Sequence, residues 1–141
     1  MTNQFNIRIY GLCLKQGHVM ALHEMYAGEK LLKFPGGGLE FGEGGLECLK
    51  REFLEELNLK IENIKHFYTQ EEFVLSKFRN NEQIFTVYYT CELTNESELL
   101  VKEPSIEKIE WISLKEENPF LLPVDHQVFS LLSQKFLKNL I

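Results

Sequence analysis

Three consecutive glycines, Gly36 to Gly38, separate β-patterned sequence from an amphipathic helix and constrain the fold more than any other feature. Upstream, residues 5–14 and 18–26 are β-rich with near alternation, and a short Gln-Gly turn joins them. This pattern predicts a β-hairpin. Residues 31–34 predict a short extended segment that ends at Pro35. The glycines then predict a loop whose backbone can approach a ligand closely.

Residues 44–57 are predicted to form a helix. Apolar residues recur there at spacings of three and four, which gives one buried stripe: Leu46, Leu49, Phe53 and Leu57. Asn58 follows the stripe and suits the left-handed conformation that ends many helices.

The rest of the chain predicts further strands and one more helix. Strands are predicted at residues 60–70, 72–78, 83–93 and 106–114, with a turn at 79–81. Asp125 is predicted to cap a helix over residues 126–140, with Val128, Leu131, Leu132 and Phe136 on its apolar face. This order predicts an α/β fold, an α/β/α sandwich with a mixed β-sheet, in a single domain covering residues 1–141.

Three glutamates share one turn of the first helix. At about 100° per residue, Glu56 lies about 40° and Glu55 about 300° around the helix from Glu52. The three carboxylates therefore occupy one sector at the edge of the apolar stripe, where repulsion and partial burial disfavour their ionised forms. A hard divalent cation would offset that cost, since Mg²⁺ prefers oxygen ligands. The alternative is an ordinary solvated helix face.

The residues in front of the helix favour a ligand site. A free glycine carbonyl there could complete a metal's coordination, and a helix N-terminus favours phosphate, so Gly37 and Gly38 are candidate substrate- or phosphate-binding residues. Arg51 could orient a carboxylate by pairing with either Glu43 or Glu55. The simpler alternative is a surface salt bridge of about 0.3–0.5 kcal/mol.

Residues 37–59 carry a spaced motif: Gly37, five residues, Glu43, seven residues, and then REFLEELNL from Arg51 to Leu59. This motif resembles the box of the MutT-like Nudix hydrolase family, G-x5-E-x7-R-E-U-x-E-E-x-G-U, where U is a bulky apolar residue. One fixed position differs, because Asn58 replaces the family's glycine. Asn is the next best residue for a left-handed cap, so the carboxylates are unaffected.

The resemblance implies the Nudix fold and hydrolysis of a nucleoside diphosphate linked to another group, such as a nucleoside triphosphate, a nucleotide sugar like ADP-ribose, or a dinucleoside polyphosphate. It implies Mg²⁺ or Mn²⁺ as cofactor. By the same resemblance, Glu52, Glu55, Glu56 and the carbonyl of Gly36 bind metal, and Arg51 and Glu43 support the catalytic site. The family's general base varies in position, and four glutamates are candidates: Glu40, Glu71, Glu72 and Glu92.

Charge and composition limit the partners and location. The net charge of −6 argues against tight binding to a nucleic acid polymer, which needs clustered Lys and Arg. No secretory signal and no apolar run of membrane-spanning length are visible, and three dispersed cysteines favour reduced thiols. We therefore expect a cytoplasmic protein with a small-molecule nucleotide-type substrate and no membrane partner. The resemblance makes a homodimer a reasonable expectation.

Several other residues have a structural and a functional interpretation. We expect Arg8 and Arg79 to be solvated, although either could meet phosphate, and His126 to be structural. We expect Cys48 to pack as a small residue. Two other functions stay open: an isomerase on the same fold, which needs a reactive cysteine, and a non-catalytic nucleotide sensor.

Overall fold

A computed structural model describes the whole chain, from Met1 to Ile141. The predicted hairpin is present. Strand β1 (Gln4–Lys15) and strand β2 (His18–Tyr26) are joined by a two-residue turn and pair antiparallel at Leu14–Val19 and Lys15–His18. Beyond these pairs the two strands diverge, because each takes other neighbours along the rest of its length.

Six more strands and two helices complete the fold: β3 (Glu29–Lys33), β4 (Gly36–Gly38), α1 (Gly45–Leu57), β5 (Ile61–Thr69), β6 (Val74–Leu75), β7 (Glu82–Leu93), β8 (Ile106–Ser113) and α2 (Pro123–Leu137). The main strand order is β3-β2-β1-β7-β5. Strand β4 also pairs with β1, β6 with β7, and β8 with β2. Since β1 and β7 run parallel while the other pairs are antiparallel, the sheet is mixed, as predicted.

Strand alternation divides the buried side chains between two cores. Tyr10, Leu12, Val19 and Ala21 belong to a core that includes the buried face of α2. Their sequence neighbours Ile9, Cys13, Met20 and Leu22 belong to a second core that includes the buried face of α1. Successive residues of a strand point to opposite faces, so the helices cover opposite faces of the sheet. The α/β/α sandwich is confirmed.

The segment before α1 differs from its prediction. The extended segment begins earlier, as β3, and the three glycines form strand β4 instead of a loop. Strand β4 is held by antiparallel pairing with β1, from Arg8–Gly38 to Tyr10–Gly36. On α1, Leu49, Phe53 and Leu57 are buried as predicted, but Leu46 is 44% exposed.

Two other predictions were wrong in detail. The strand predicted at 72–78 is reduced to Val74–Leu75, since Phe73 and Leu75 find no buried position and stay exposed. Helix α2 begins at Pro123, whose missing N–H is not needed in the first turn. Asp125 is therefore not the cap: it lies inside the first turn and is buried.

Neither helix is long and apolar enough to cross a membrane. That residues 1–141 form a single domain stays a prediction.

Candidate active site on helix α1

Both ends of helix α1 are held by local hydrogen bonds. Glu47 Oε1 accepts the backbone N–H of Gly44 at 2.9 Å at the N-terminus. At the C-terminus Asn58 adopts φ 57° and ψ 32°, and its N–H donates to the carbonyl of Leu54. The prediction that Asn58 provides a left-handed cap is confirmed. The helix therefore begins shortly after β4 and lies across it.

Arg51 is the centre of an ion-pair network. Its Nε and Nη2 donate to the two carboxylate oxygens of Glu43, at 3.0 and 2.7 Å. Its Nη1 donates to Glu52 at 2.8 Å and to Glu55 at 3.2 Å, and its Nη2 also reaches the carbonyl of Gly38 at 3.1 Å. Both pairings that the sequence left open are present, and the bidentate one joins Arg51 to Glu43.

The Arg51–Glu43 pair is fully ionised near neutral pH. Hydrogen bonds from Arg51 hold the pKa of Glu43 at about 2, with help from the backbone amide of Glu40. The same bonds raise the pKa of Arg51 above its already high ordinary value. Because its planar fork is committed to Glu43, Arg51 is oriented to hold Glu52 in one position.

Glu52 and Glu56 form a pair of adjacent carboxylates. The Glu52 side chain is only 12% exposed. Burial, followed by the neighbouring Glu52, raises the pKa of Glu56 to about 8. Two carboxylates in contact repel each other when both are ionised, and a bound cation would remove that repulsion.

Two of the three glycines leave room that a side chain would fill. Gly36 has φ 148°, a conformation that L residues avoid, and a Cβ there would lie 2.8 Å from the Cα of Tyr10. A Cβ on Gly37 would lie 2.5 and 2.6 Å from the carboxylate oxygens of Glu52. The glycine at position 37 therefore makes space for the Glu52 carboxylate over strand β4.

The three predicted metal-binding glutamates share one helical turn but differ in environment. Glu55 is 60% exposed and is held by Arg51, whereas Glu52 and Glu56 are partly buried. In this arrangement no three acidic, histidine or cysteine side chains converge closely enough to hold a metal. Their role as metal ligands stays a prediction.

The four general-base candidates lie in different places. Glu40 is 3.6 Å from Nη1 of Arg51 and so lies at the network. Glu71 and Glu72 are exposed between β5 and β6, and Glu92 faces Glu62 across the β5–β7 pair. The geometry favours Glu40 over the other three.

A cavity of about 1190 Å³, which the sequence did not indicate, is lined by none of the residues of the Arg51 network, and Arg8 links it to the glycine strand opposite Gly38. Strands β1, β3, β6 and β7 and the start of α2 contribute to its lining, through residues such as Arg8, Lys33, Val74, Thr86 and Asp125. Arg8 is half-buried there, so the expectation that it is solvated was wrong. His126 lies outside this lining, and its Nδ1 contacts the carbonyl of Phe120 at 2.8 Å, a structural role.

Three lining residues of the cavity, Lys33, Tyr88 and Asp125, have polar groups with little exposure. Lys33 pairs with Glu24 at 3.0 Å, and Glu24 accepts a hydrogen bond from Ser105 at 2.7 Å. Asp125 accepts a 2.5 Å hydrogen bond from the Tyr88 hydroxyl. Burial raises the pKa of Asp125 to about 6, although this hydrogen bond partly opposes the shift. The sequence signal for these residues was weak, because they come from separate strands and from α2.

Comparisons with known proteins agree with this architecture. A family model described as the NUDIX domain matches residues 2–132. A MutT NUDIX hydrolase from Burkholderia pseudomallei has a similar structure, with a TM-score of 0.76 and 18% identity, over 91% of this chain and 98% of that one. A NUDIX hydrolase from Nitrosomonas europaea has a TM-score of 0.73 and 16% identity, over 90% of this chain and 87% of that one. A MutT protein from Bacillus halodurans has a TM-score of 0.70 and 20% identity, over 91% of this chain and 82% of that one.

Proposed function

Because the chain belongs to the NUDIX family of pyrophosphohydrolases, we propose that it hydrolyses the pyrophosphate bond of a nucleoside diphosphate linked to another moiety. Nucleoside triphosphates, nucleotide sugars such as ADP-ribose and dinucleoside polyphosphates all contain that bond. The observation that carries the proposal is the pair of adjacent carboxylates on Glu52 and Glu56, of which Glu52 packs over Gly37 and is fixed by Arg51.

The chemistry of the adjacent Glu52 and Glu56 carboxylates suits a divalent cation, and Glu55 would have to move toward them to join the site, because no three acidic side chains converge in this arrangement. Burial and the neighbouring Glu52 raise the pKa of Glu56 to about 8, so Glu56 is mostly protonated near neutral pH, and a bound cation would stabilise its ionised form. All the donors are oxygens, which suits Mg²⁺ or Mn²⁺. Glu52, Glu55, Glu56 and the carbonyl of Gly36 would hold the ion. When bound, such a metal lowers the pKa of a coordinated water and stabilises charge on phosphoryl oxygens.

The chain's own residues would position the reactants. Glu43 orients Arg51, and Arg51 orients Glu52, so the Glu52 carboxylate is fixed before substrate arrives. From that position Glu52 would accept a hydrogen bond from the attacking water. Glu40, at the edge of the same network, is the best placed general base.

The cavity beside the site supports an anionic small-molecule substrate. Six cationic side chains line it: Arg8, Lys30, Lys33, Lys77, Arg79 and Lys108. Three acidic side chains oppose them: Glu82, Glu107 and Asp125. This local excess of positive charge contrasts with the net charge of −6 for the whole chain, and it would attract a nucleotide. A cytoplasmic location, a homodimer and the lack of a nucleic acid partner stay predictions.

Neither alternative function gains support from the geometry. An isomerase on this fold needs a reactive thiol, but all three cysteines are buried. Burial raises the pKa of Cys48 to about 12, and hydrogen bonding with Cys13 raises the pKa of Cys91. A non-catalytic sensor would have no need for the Arg51-fixed carboxylates, and a turnover assay separates it from an enzyme.

The test is a product-release screen with Mg²⁺ or Mn²⁺ across nucleoside triphosphates, ADP-ribose, other nucleotide sugars and dinucleoside polyphosphates. We expect turnover of at least one class, loss of turnover in EDTA, and recovery on adding Mg²⁺. Glu55→Gln and Glu56→Gln should reduce both turnover and Mn²⁺ affinity while leaving the fold intact. Glu117→Gln is the matched control, because Glu117 is an exposed glutamate outside the site. Binding of nucleotides without turnover of any of them would refute the proposal in favour of the sensor.

A further inference from the structure

We propose that Arg8 is a substrate-binding residue that holds a phosphate oxygen of the diphosphate, at the junction between the glutamate site and the cavity. This inference rests on the function proposed above and adds to it a residue outside the motif of residues 37–59.

The backbone places Arg8 beside the glycine strand. In the β1–β4 pair, Arg8 lies directly opposite Gly38. The Nη1 atom of Arg8 would be 3.8 Å from a Cβ built on Gly38, so the guanidinium lies in contact range of that strand. A phosphate lying over β4 would therefore meet the Arg8 side chain.

The guanidinium has a free fork that the protein does not use. Its Nε donates to the Tyr10 hydroxyl at 2.5 Å, which holds the side chain in place. Neither Nη nitrogen makes a hydrogen bond within the protein, and no carboxylate lies within 4.0 Å. In contrast, Lys33 is paired with Glu24 and Arg51 with several glutamates. Arg8 is thus the half-buried cation of this region that lacks a charged partner.

Charge and position together indicate an anionic ligand. The negative charges of Glu52 and Glu56 favour the charged form of the Arg8 guanidinium, and Arg8 also lines the cavity. A diphosphate at the glutamates whose organic part enters the cavity would have to pass this guanidinium. The two Nη groups of a planar guanidinium can bond two oxygens of one phosphate at once. A lysine ammonium is a point charge and does not offer this paired geometry.

The experiment measures binding of methylenediphosphonate, a non-hydrolysable diphosphate that contains the group shared by all candidate substrates. Calorimetry in saturating Mg²⁺ compares wild type with Arg8→Gln and Arg8→Lys. Loss of charge-assisted hydrogen bonds to phosphate corresponds to about ten- to a hundredfold weaker binding in Arg8→Gln. Arg8→Lys keeps the charge and the aliphatic stem but not the planar guanidinium, so its affinity for the diphosphonate should lie between those of wild type and Arg8→Gln.

Lys115→Gln is the matched control for the loss of one positive charge, because Lys115 is exposed and lies outside the cavity lining. If Arg8 acted only through the overall charge of the protein, both variants would weaken binding alike. We expect Lys115→Gln to bind within about twofold of wild type, because an exposed charge is screened.

The outcomes separate this inference from the proposed function. Wild-type turnover combined with unchanged diphosphonate affinity in both Arg8 variants overturns the inference and leaves the function standing. Equal losses in Arg8→Gln and Lys115→Gln also overturn it. Absence of wild-type turnover with every substrate and either metal overturns the function and this inference with it. Should Arg8→Gln fail to fold, judged by circular dichroism, Arg8→Lys decides the question.

Discussion

Gly37→Ala is the substitution that tests the packing of the glutamate site most directly. Position 37 has no unusual φ, so its backbone is open to alanine, and only the added methyl matters. That methyl would lie 2.5 Å from the nearest oxygen of Glu52, where ordinary contact begins at 3.4 Å. The Glu52 carboxylate must therefore move by about 0.9 Å, the difference between these two distances.

The magnitude follows from what Glu52 loses. A shift of that size breaks its 2.8 Å hydrogen bond with Arg51. Overpacking typically costs about 1–3 kcal/mol. Replacing glycine by alanine at a position that accepts alanine stabilises the folded state by about 0.4–1 kcal/mol, because it restricts the unfolded chain. We expect the difference, a net destabilisation of about 0.5–2.5 kcal/mol, measured by urea unfolding. Since a misplacement of about 1 Å can cost about a hundredfold in rate, turnover should fall to about 1%.

A double-mutant cycle with Glu52→Ala provides the control. The three atoms nearest to the new methyl all belong to the Glu52 carboxyl group, so Gly37→Ala should cost nothing or stabilise slightly in the Glu52→Ala background. The difference between the two backgrounds is the coupling energy, expected at about 2 kcal/mol. An equal cost in both backgrounds would refute the reasoning, because the damage would then come from the backbone and not from Glu52.

Substitutions at two further positions test features outside the glutamate pair. The folded pKa of Asp125, about 6, exceeds its ordinary 3.8, so its stabilising contribution is complete below pH 3.8 and is lost as pH rises through 6. Between pH 3.8 and 7 the free energy of unfolding of Asp125→Asn should therefore rise by about 3 kcal/mol relative to that of wild type. Urea unfolding of both proteins across this range measures the difference, and a difference that does not change with pH would contradict this. Asn58→Ala should cost about 1–2 kcal/mol, because alanine resists φ 57° and lacks the 3.0 Å bond to the carbonyl of Glu98. Asn58→Gly accepts that φ and loses only the exposed bond, so thermal unfolding should place it between wild type and Asn58→Ala.

Local patterns in the sequence were sufficient for much of the candidate site. The spacing of Arg51 and Glu55 predicted their pairing, because residues four apart meet on a helix, and Glu43, just in front of the helix, was the other predicted partner of Arg51. The Arg51–Glu43 and Arg51–Glu55 contacts were both anticipated, as was the left-handed cap at Asn58. The first hairpin and α1 were also predictable, since their signals of alternation and 3.6-residue period lie within short windows.

The tertiary structure alone decided which residues surround the cavity. Arg8, Lys33 and Asp125 come from β1, β3 and α2, and no local period relates positions so far apart in the chain. Asp125 resembled a helix cap because the sequence does not show that Tyr88 would meet it from a strand 37 residues earlier. The glycines paired as strand β4 because β1 offered an open edge, which is a property of the sheet. Short-range chemistry determined the helix and its glutamates, whereas long-range strand pairing determined what faces them.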